Sequence, residues 1–395
     1  MGLLTAVEKF SSGDRFPIIY SASSCLHSLN KLAYCEACFT VCPTAAIQPG
    51  KPPSFDSQSC VACRACLQAC PVGAFTGDDK VSGLLSAAAR AVEKHKVTYI
   101  DLLCDRHTSP AQGPQDSALG LRIEGCLAQL GTGAYLALFL LGVEKVTVRL
   151  DDCANCASSS LKERILQQVE QARVLAGPWG NADKLAILDQ TEGTQLVARP
   201  GWNAATPPLS RAELLHPAAL LLESRYPQLI SPDAPAVSQH HLSLDRYRQI
   251  IAFKHLLTED QPVQSTSSAL VSHVRAGVTE ACTGCSICSR ACPTGTLKRT
   301  VVDEQEFKLS FSPLKCVDCK VCVELCPVDA IMLESPVPVG YLMEGVSVLY
   351  QGSLVKCQRC STLFSPKAGE ELCPTCQFRR DHPFGSRTPQ HQITG

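Results

Sequence analysis

Two stretches, CTGCSICSRACP at residues 282–293 and CVDCKVCVELCP at residues 316–327, repeat one spacing, C-x2-C-x2-C-x3-C followed by proline. A third copy, CVACRACLQACP, occupies residues 60–71, and a shorter run, CEACFTVCP, occupies residues 35–43. Thiols placed three residues apart let a loop wrap three corners of an iron–sulfur cube while its amides stay near the sulfurs; the fourth thiolate must arrive from elsewhere. The proline after each final cysteine has a fixed φ and no N–H, which suits the first turn of a short helix. Apolar residues follow, as Ala45, Ala46 and Ile47 or Val328, Ala330 and Ile331, and can cover an inorganic core.

Working outward, all 24 cysteines fall into groups with metal-ligating or cluster-ligating spacing, and none is left over. Sixteen belong to the four runs once Cys25 is added to the short one, where regular spacing would put a cysteine at Leu32. Cys25 must then reach across an inserted loop. If it packs elsewhere, that cluster keeps three cysteines and takes a [3Fe–4S] form or a different fourth ligand. A disulfide framework needs a secreted chain and does not explain the repeated spacing.

The paired runs at 25–71 and 282–327 resemble two-cluster ferredoxin modules. In those, the fourth cysteine of each run ligates the other cluster. The resemblance therefore implies four [4Fe–4S] clusters with explicit ligand sets. They are Cys282, Cys285, Cys288 with Cys326; Cys316, Cys319, Cys322 with Cys292; Cys60, Cys63, Cys66 with Cys42; and Cys35, Cys38, Cys70 with Cys25.

Between the modules, helix-like and strand-like stretches alternate, with candidate strands at 97–103, 121–124, 146–150 and 185–188 and candidate helices at 81–95, 127–142 and 157–175. This is an α/β pattern, and a mostly parallel sheet follows from it. Cys104, Cys126 and Cys153 each fall just beyond the carboxyl end of a candidate strand, and Cys156 completes a C-x2-C hook with Cys153. Ligands collect at that edge of parallel sheets. A shared cluster is the favoured reading; the competing ones are buried core thiols and zinc. The stretch GLRIEGCLAQLGTGAYLALFLLGVEKVTVRLDDCANC, residues 120–156, resembles the delta-subunit family of methyl-viologen-reducing hydrogenases. That resemblance implies a [2Fe–2S] cluster on four cysteines and a role passing electrons between a hydrogenase or formate dehydrogenase and heterodisulfide reductase. Cys104 stands alone where that family carries a richer cysteine segment.

Near the C-terminus, Cys357, Cys360, Cys373 and Cys376 form two C-x2-C hooks separated by 12 residues, the arrangement of a zinc ribbon with four thiolates. A rubredoxin-like iron site is the alternative, and it usually has a longer separation. The ten histidines form no H-x3-H or H-E-x2-H pattern, and no nucleotide-binding glycine motif is present.

Lys and Arg number 36 against 37 Asp and Glu, so no basic surplus favours nucleic acid. The longest apolar run, Ala134 to Val143, is half of the roughly 20 residues a membrane span needs. The N-terminus carries no recognisable export signal, so a cytoplasmic location is expected.

The expected fold class is α/β plus α+β: a dicluster ferredoxin-like module at 14–80, an α/β domain at 81–200, a Pro-rich connector at 201–267 with helices near 209–224 and 243–257, a second module at 268–335, zinc-ribbon-like hooks at 350–380 and a tail at 381–395. The expected function is single-electron transfer as subunit or partner of a redox enzyme such as formate dehydrogenase or hydrogenase, with the α/β domain bridging the two modules. The alternatives are a maturation factor for a metalloenzyme and catalysis at the middle cysteines.

Overall fold

The computed structural model describes residues 18–208, 227–230, 242–258, 269–302, 305–366 and 369–382. The helix expected near 209–224, the His240–His241 pair and the tail beyond residue 382 lie outside them.

The middle of the chain builds a five-stranded, wholly parallel sheet. Helix α1 (Lys80–His95) leads into β1 (Tyr99–Cys104) and β2 (Leu119–Ile123); α2 (Thr132–Leu140), β3 (Lys145–Arg149), α3 (Lys162–Ala176), β4 (Leu185–Leu188) and β5 (Gly201–Asn203) follow. The strand order is β5-β2-β1-β3-β4. Ile100, Leu102, Leu103, Leu121, Val146 and Val148 are buried, as expected of parallel strands covered on both faces.

Two features escape the proline-based reading of residues 201–267. First, β5 closes the sheet because Arg199 anchors it: its buried guanidinium donates to Asp101 at 2.6 and 3.0 Å and to the carbonyls of Pro110 and Pro200. Gly113 and Gly120 leave the room, since a Cβ at Gly120 would stand 1.9 Å from that guanidinium. Second, helix α4 (Leu244–Thr258) is part of the α/β core, with Ala252 and Phe253 fully buried beside Trp179.

The expected helix at 127–142 is broken into a 3-10 turn at Leu127–Gln129 and α2. The Cys126 thiol accepts from the Ala128 amide, and the Gln129 side chain bonds the carbonyls of Glu124 and Cys126, so the chain turns before the helix starts. Helix α2 is apolar on all sides and is buried on all sides. Its N-terminal amides at Gly133 and Ala134 donate to the Asp245 carboxylate of α4 at 3.1 and 3.0 Å.

Each terminal module is built from short antiparallel pairs and one-turn helices. In the first, Ile19–Tyr20 pairs with Phe75–Thr76 and Ile47–Gln48 with Ser54–Phe55, around helices Ala37–Thr40 and Ala65–Ala69. In the second, Arg275–Val278 pairs with Ile331–Glu334, and Leu297–Val302 with Glu306–Phe311, around helices Ile287–Ala291 and Val321–Glu324. Strand Ser347–Ser353 extends the latter sheet and leads into the C-terminal hooks.

The α/β domain does not separate the two modules. The Tyr34 amide donates to the Cys319 carbonyl at 3.1 Å, and Cys319 and Val321 share one apolar cluster with Cys25, Leu26, Cys38, Cys66 and Cys70.

Helix propensity alone makes Gly→Ala favourable within a helix by about 1 kcal/mol. At Gly133 of α2 we expect the opposite sign. An added Cβ would come 2.1 Å from the Asp245 carbonyl and 2.8 Å from the Gln249 amide, forcing α2 and α4 apart. Gly133→Ala should destabilise the protein by about 1–3 kcal/mol in denaturant unfolding.

Candidate metal centres

The first turn of each C-x2-C-x2-C loop is paid for by left-handed backbone at the same positions: Ala62 and Arg64, Gly284 and Ser286, and Asp318 and Lys320 all have φ between 52° and 65°. These reversals point successive cysteines into one cavity. Cys25, Cys35, Cys38 and Cys70 surround a cavity walled by Tyr20, Leu26 and Phe75. Cys42, Cys60, Cys63 and Cys66 surround another, under Ile18, Ile47 and Phe55. In the second module, Cys282, Cys285, Cys288 and Cys326 gather beneath Phe307 and Leu309, and Cys292, Cys316, Cys319 and Cys322 beneath Leu297 and Phe311. Cys25 is buried at the start of helix Leu26–Leu29, whereas Leu32 is about half exposed.

Burial, and then the neighbouring thiols, push these groups up, Cys38, Cys288 and Cys316 to about 12, and Cys66 and Cys322 in the same direction. Four sulfurs crowded out of water favour the protonated form unless cations lie among them. Backbone amides are already aimed at several sulfurs, Ala62 at Cys60, Ala74 at Cys70 and Ala330 at Cys326, over 3.1 to 3.4 Å. This donor chemistry suits anionic iron–sulfur clusters, whose potentials respond to hydrogen bonds at sulfur.

The middle cysteines also converge. Cys104 ends β1, Cys126 follows β2, and Cys153 and Cys156 follow β3, all at the carboxyl edge of the sheet. They line a cavity of about 330 Å³, against about 20 Å³ or less for each of the other four. Burial, with Cys104, Cys63 and Cys153 nearby, pushes Cys126 up to about 12. Cys63 belongs to the first module, so this site and that module's Cys42, Cys60, Cys63 and Cys66 set are neighbours.

Behind the middle site lies a polar layer that motif reading did not find. Arg149 is fully buried and donates to both oxygens of Asp151 at 2.8 and 2.6 Å, and His107 Nε2 stands 3.3 Å from the same carboxylate. Thr108 donates to Asp152, the residue before Cys153. These bonds fix the hook to the loop after Cys104. In the first module, buried His27 donates from Nε2 to the Cys35 carbonyl at 2.9 Å. None of these residues has a sequence signature, because each is read only through its partner across the fold.

Among the described residues, one group brings all its sulfurs within 4.8 Å of one another: Cys357, Cys360, Cys373 and Cys376. The Cys360 and Cys373 sulfurs are 3.7 Å apart. A tetrahedron with metal–sulfur bonds of about 2.3 Å has edges of about 3.8 Å, so the hooks are spaced for a single ion. The Ser365 amide donates to the Thr283 carbonyl at 2.8 Å, which seats the hooks on the loop that carries Cys282 and Cys285.

Cys360 is the exposed thiol of this group, and hydrogen bonds from the Thr362 hydroxyl and amide hold its pKa below that of an ordinary thiol. At Cys357 burial is outweighed by amide hydrogen bonds, which bring it down to about 6 as well, but that thiol is buried, so exposure sets the order. In metal-free protein at neutral pH, Cys360 should alkylate before Cys357, Cys373 and Cys376, with a rate that falls as the pH is lowered and the thiolate is protonated. Adding Zn2+ should suppress the labelling, as read by peptide mass spectrometry.

Comparison with known proteins agrees with the geometry. Residues 281–330 match the 4Fe-4S dicluster domain family and residues 53–76 the 4Fe-4S binding domain family. A ferredoxin from Rickettsia felis is 41% identical over 61 residues, covering 15% of this chain and 51% of that protein. A mitochondrial pyruvate dehydrogenase [NADP(+)] from Euglena gracilis is 28% identical over 89 residues, 17% of this chain and 5% of that protein. The chain thus spans about half of the length of the first of these curated relatives and a small fraction of the second. Among the described residues no helix is long and apolar enough to cross a membrane. The chain carries ferredoxin-type [4Fe–4S] domains at both ends, which are domains of iron–sulfur electron transfer.

Proposed function

We propose that this chain carries single electrons along a row of iron–sulfur clusters, as subunit or partner of a redox enzyme such as formate dehydrogenase or hydrogenase. Four cubes would be held by the four cysteine sets gathered around the small cavities, a [2Fe–2S] cluster by Cys104, Cys126, Cys153 and Cys156, and a zinc ion by the C-terminal hooks. The clusters supply reversible one-electron chemistry; the protein sets their order, burial and hydrogen bonding.

The observation that carries the reading is adjacency. The Cys282 set and the Cys316 set share a module and an apolar cluster. The Tyr34–Cys319 hydrogen bond joins that module to the Cys25 set, the Cys42 set lies beside it in the first module, and Cys63 meets Cys126 at the middle site. Contacts between neighbours thus link all five sets, the roomy middle site meeting the first module and the hooks the second. An electron given up by a reduced partner at one end can leave to an oxidised partner at the other, one electron lost for each one gained. The wide cleft at the middle site favours that end for exchange with the enzyme.

Anaerobic metal analysis tests the cofactor content, with about 18 iron atoms and one zinc per chain expected. Eight or fewer irons in reconstituted protein would remove at least one module from the account. Replacing Cys104, Cys126, Cys153 or Cys156 singly by serine should abolish the same EPR signal of the reduced protein and leave the four cube signals in place. Loss of different signals from different variants would mean that these thiols do not share a cluster.

A further inference from the structure

Between the first module and the middle site stands Arg64, the residue after Cys63. It is 4% exposed, and it lines both the cavity of the Cys42 set and the middle cavity. Its guanidinium packs against Gly125, the residue before Cys126; a Cβ there would lie 3.0 Å from Nη1. The nearest carboxylate, Glu124, is 3.6 Å from Nη2, beyond hydrogen-bond reach, and is already engaged by Lys80 at 2.6 Å. Nη2 has no hydrogen-bond partner.

A buried cation with a donor left over needs anionic neighbours to be tolerated. The loop itself does not call for one. At the corresponding left-handed position the second module has Ser286 in one loop and an exposed Lys320 in the other. The buried arginine occurs in the loop that faces the middle cysteines. Thiolate-ligated iron–sulfur clusters are net anions and become more negative when reduced, so a fixed cation between two of them stabilises the reduced form of both.

We propose that Arg64 is a positioning residue for charge: it sets the potentials of the Cys42-set cluster and of the middle cluster together, easing electron passage between them. This inference rests on the reading of Cys104, Cys126, Cys153 and Cys156 as a cluster site. Iron analysis and the EPR signal of the unmodified full-length protein test that reading first; absence of the middle cluster overturns both.

With the clusters in place, redox titration of anaerobically reconstituted Arg64→Gln should show the two flanking clusters harder to reduce. At the wild-type midpoint their reduced-to-oxidised ratio should fall about tenfold, a shift of about 59 mV for a one-electron couple. The clusters of the second module should not move. Arg64→Lys should restore most of the shift, and Glu124→Gln, which removes a negative charge, should move the same two potentials upward. Unchanged potentials in Arg64→Gln with iron retained would overturn the proposal. So would a Glu124→Gln variant that reproduces the Arg64→Gln shift, since Arg64 would then serve only to dock the module. If Arg64→Gln loses iron, recovery of iron and potentials in Arg64→Lys supports the charge role, and loss in both variants overturns it.

Discussion

Bringing four thiols together out of water is the constraint on which this molecule is organised. Burial and mutual repulsion both oppose their ionisation, and only cations placed among them reverse that balance. The chain accordingly delivers its cysteines through local reversals rather than through long elements. Left-handed residues such as Ala62, Arg64, Asp318 and Lys320 turn each loop inward, and amides such as those of Ala74 and Ala330 meet the sulfurs. The apolar side chains Phe55, Phe75, Phe307 and Phe311 then close each cavity from water.

The α/β domain answers the same constraint by a different route. A parallel sheet presents its loops at one edge, so residues far apart in sequence arrive together without a repeating motif. Cys104, Cys126 and the Cys153 hook do so, and the buried pairs Arg149 with Asp151 and Arg199 with Asp101 hold the loops and the edge strand that frame them. The resulting cavity is far larger than those of the modules.

Much of this was legible in the residues. The C-x2-C-x2-C-x3-C-P spacing is set by the reach of a few residues, and the hooks at Cys357 and Cys373 are equally local, so spacing alone groups their cysteines. The strands at 97–103, 146–150 and 185–188 were legible because buried parallel strands are continuous apolar runs. Helix α4 was expected at 243–257, but neither its place in the α/β core nor the strand Gly201–Asn203 was legible, because prolines nearby suggest a connector and because their partners, the N-terminus of α2 and Gly120, lie far off in sequence.

Sequence by itself determined which thiols belong to each local loop and that the chain alternates two repeated modules with a parallel sheet. Tertiary structure decided their order in space. Placing the α/β domain between the modules in the chain suggests a bridge, yet the modules meet directly through Tyr34 and Cys319, and the middle site borders the first module at Cys63. The reason is physical: local spacing fixes distances over a few residues, whereas module contacts depend on which apolar surfaces cover one another, and charges such as Arg64 acquire meaning only from what is buried beside them.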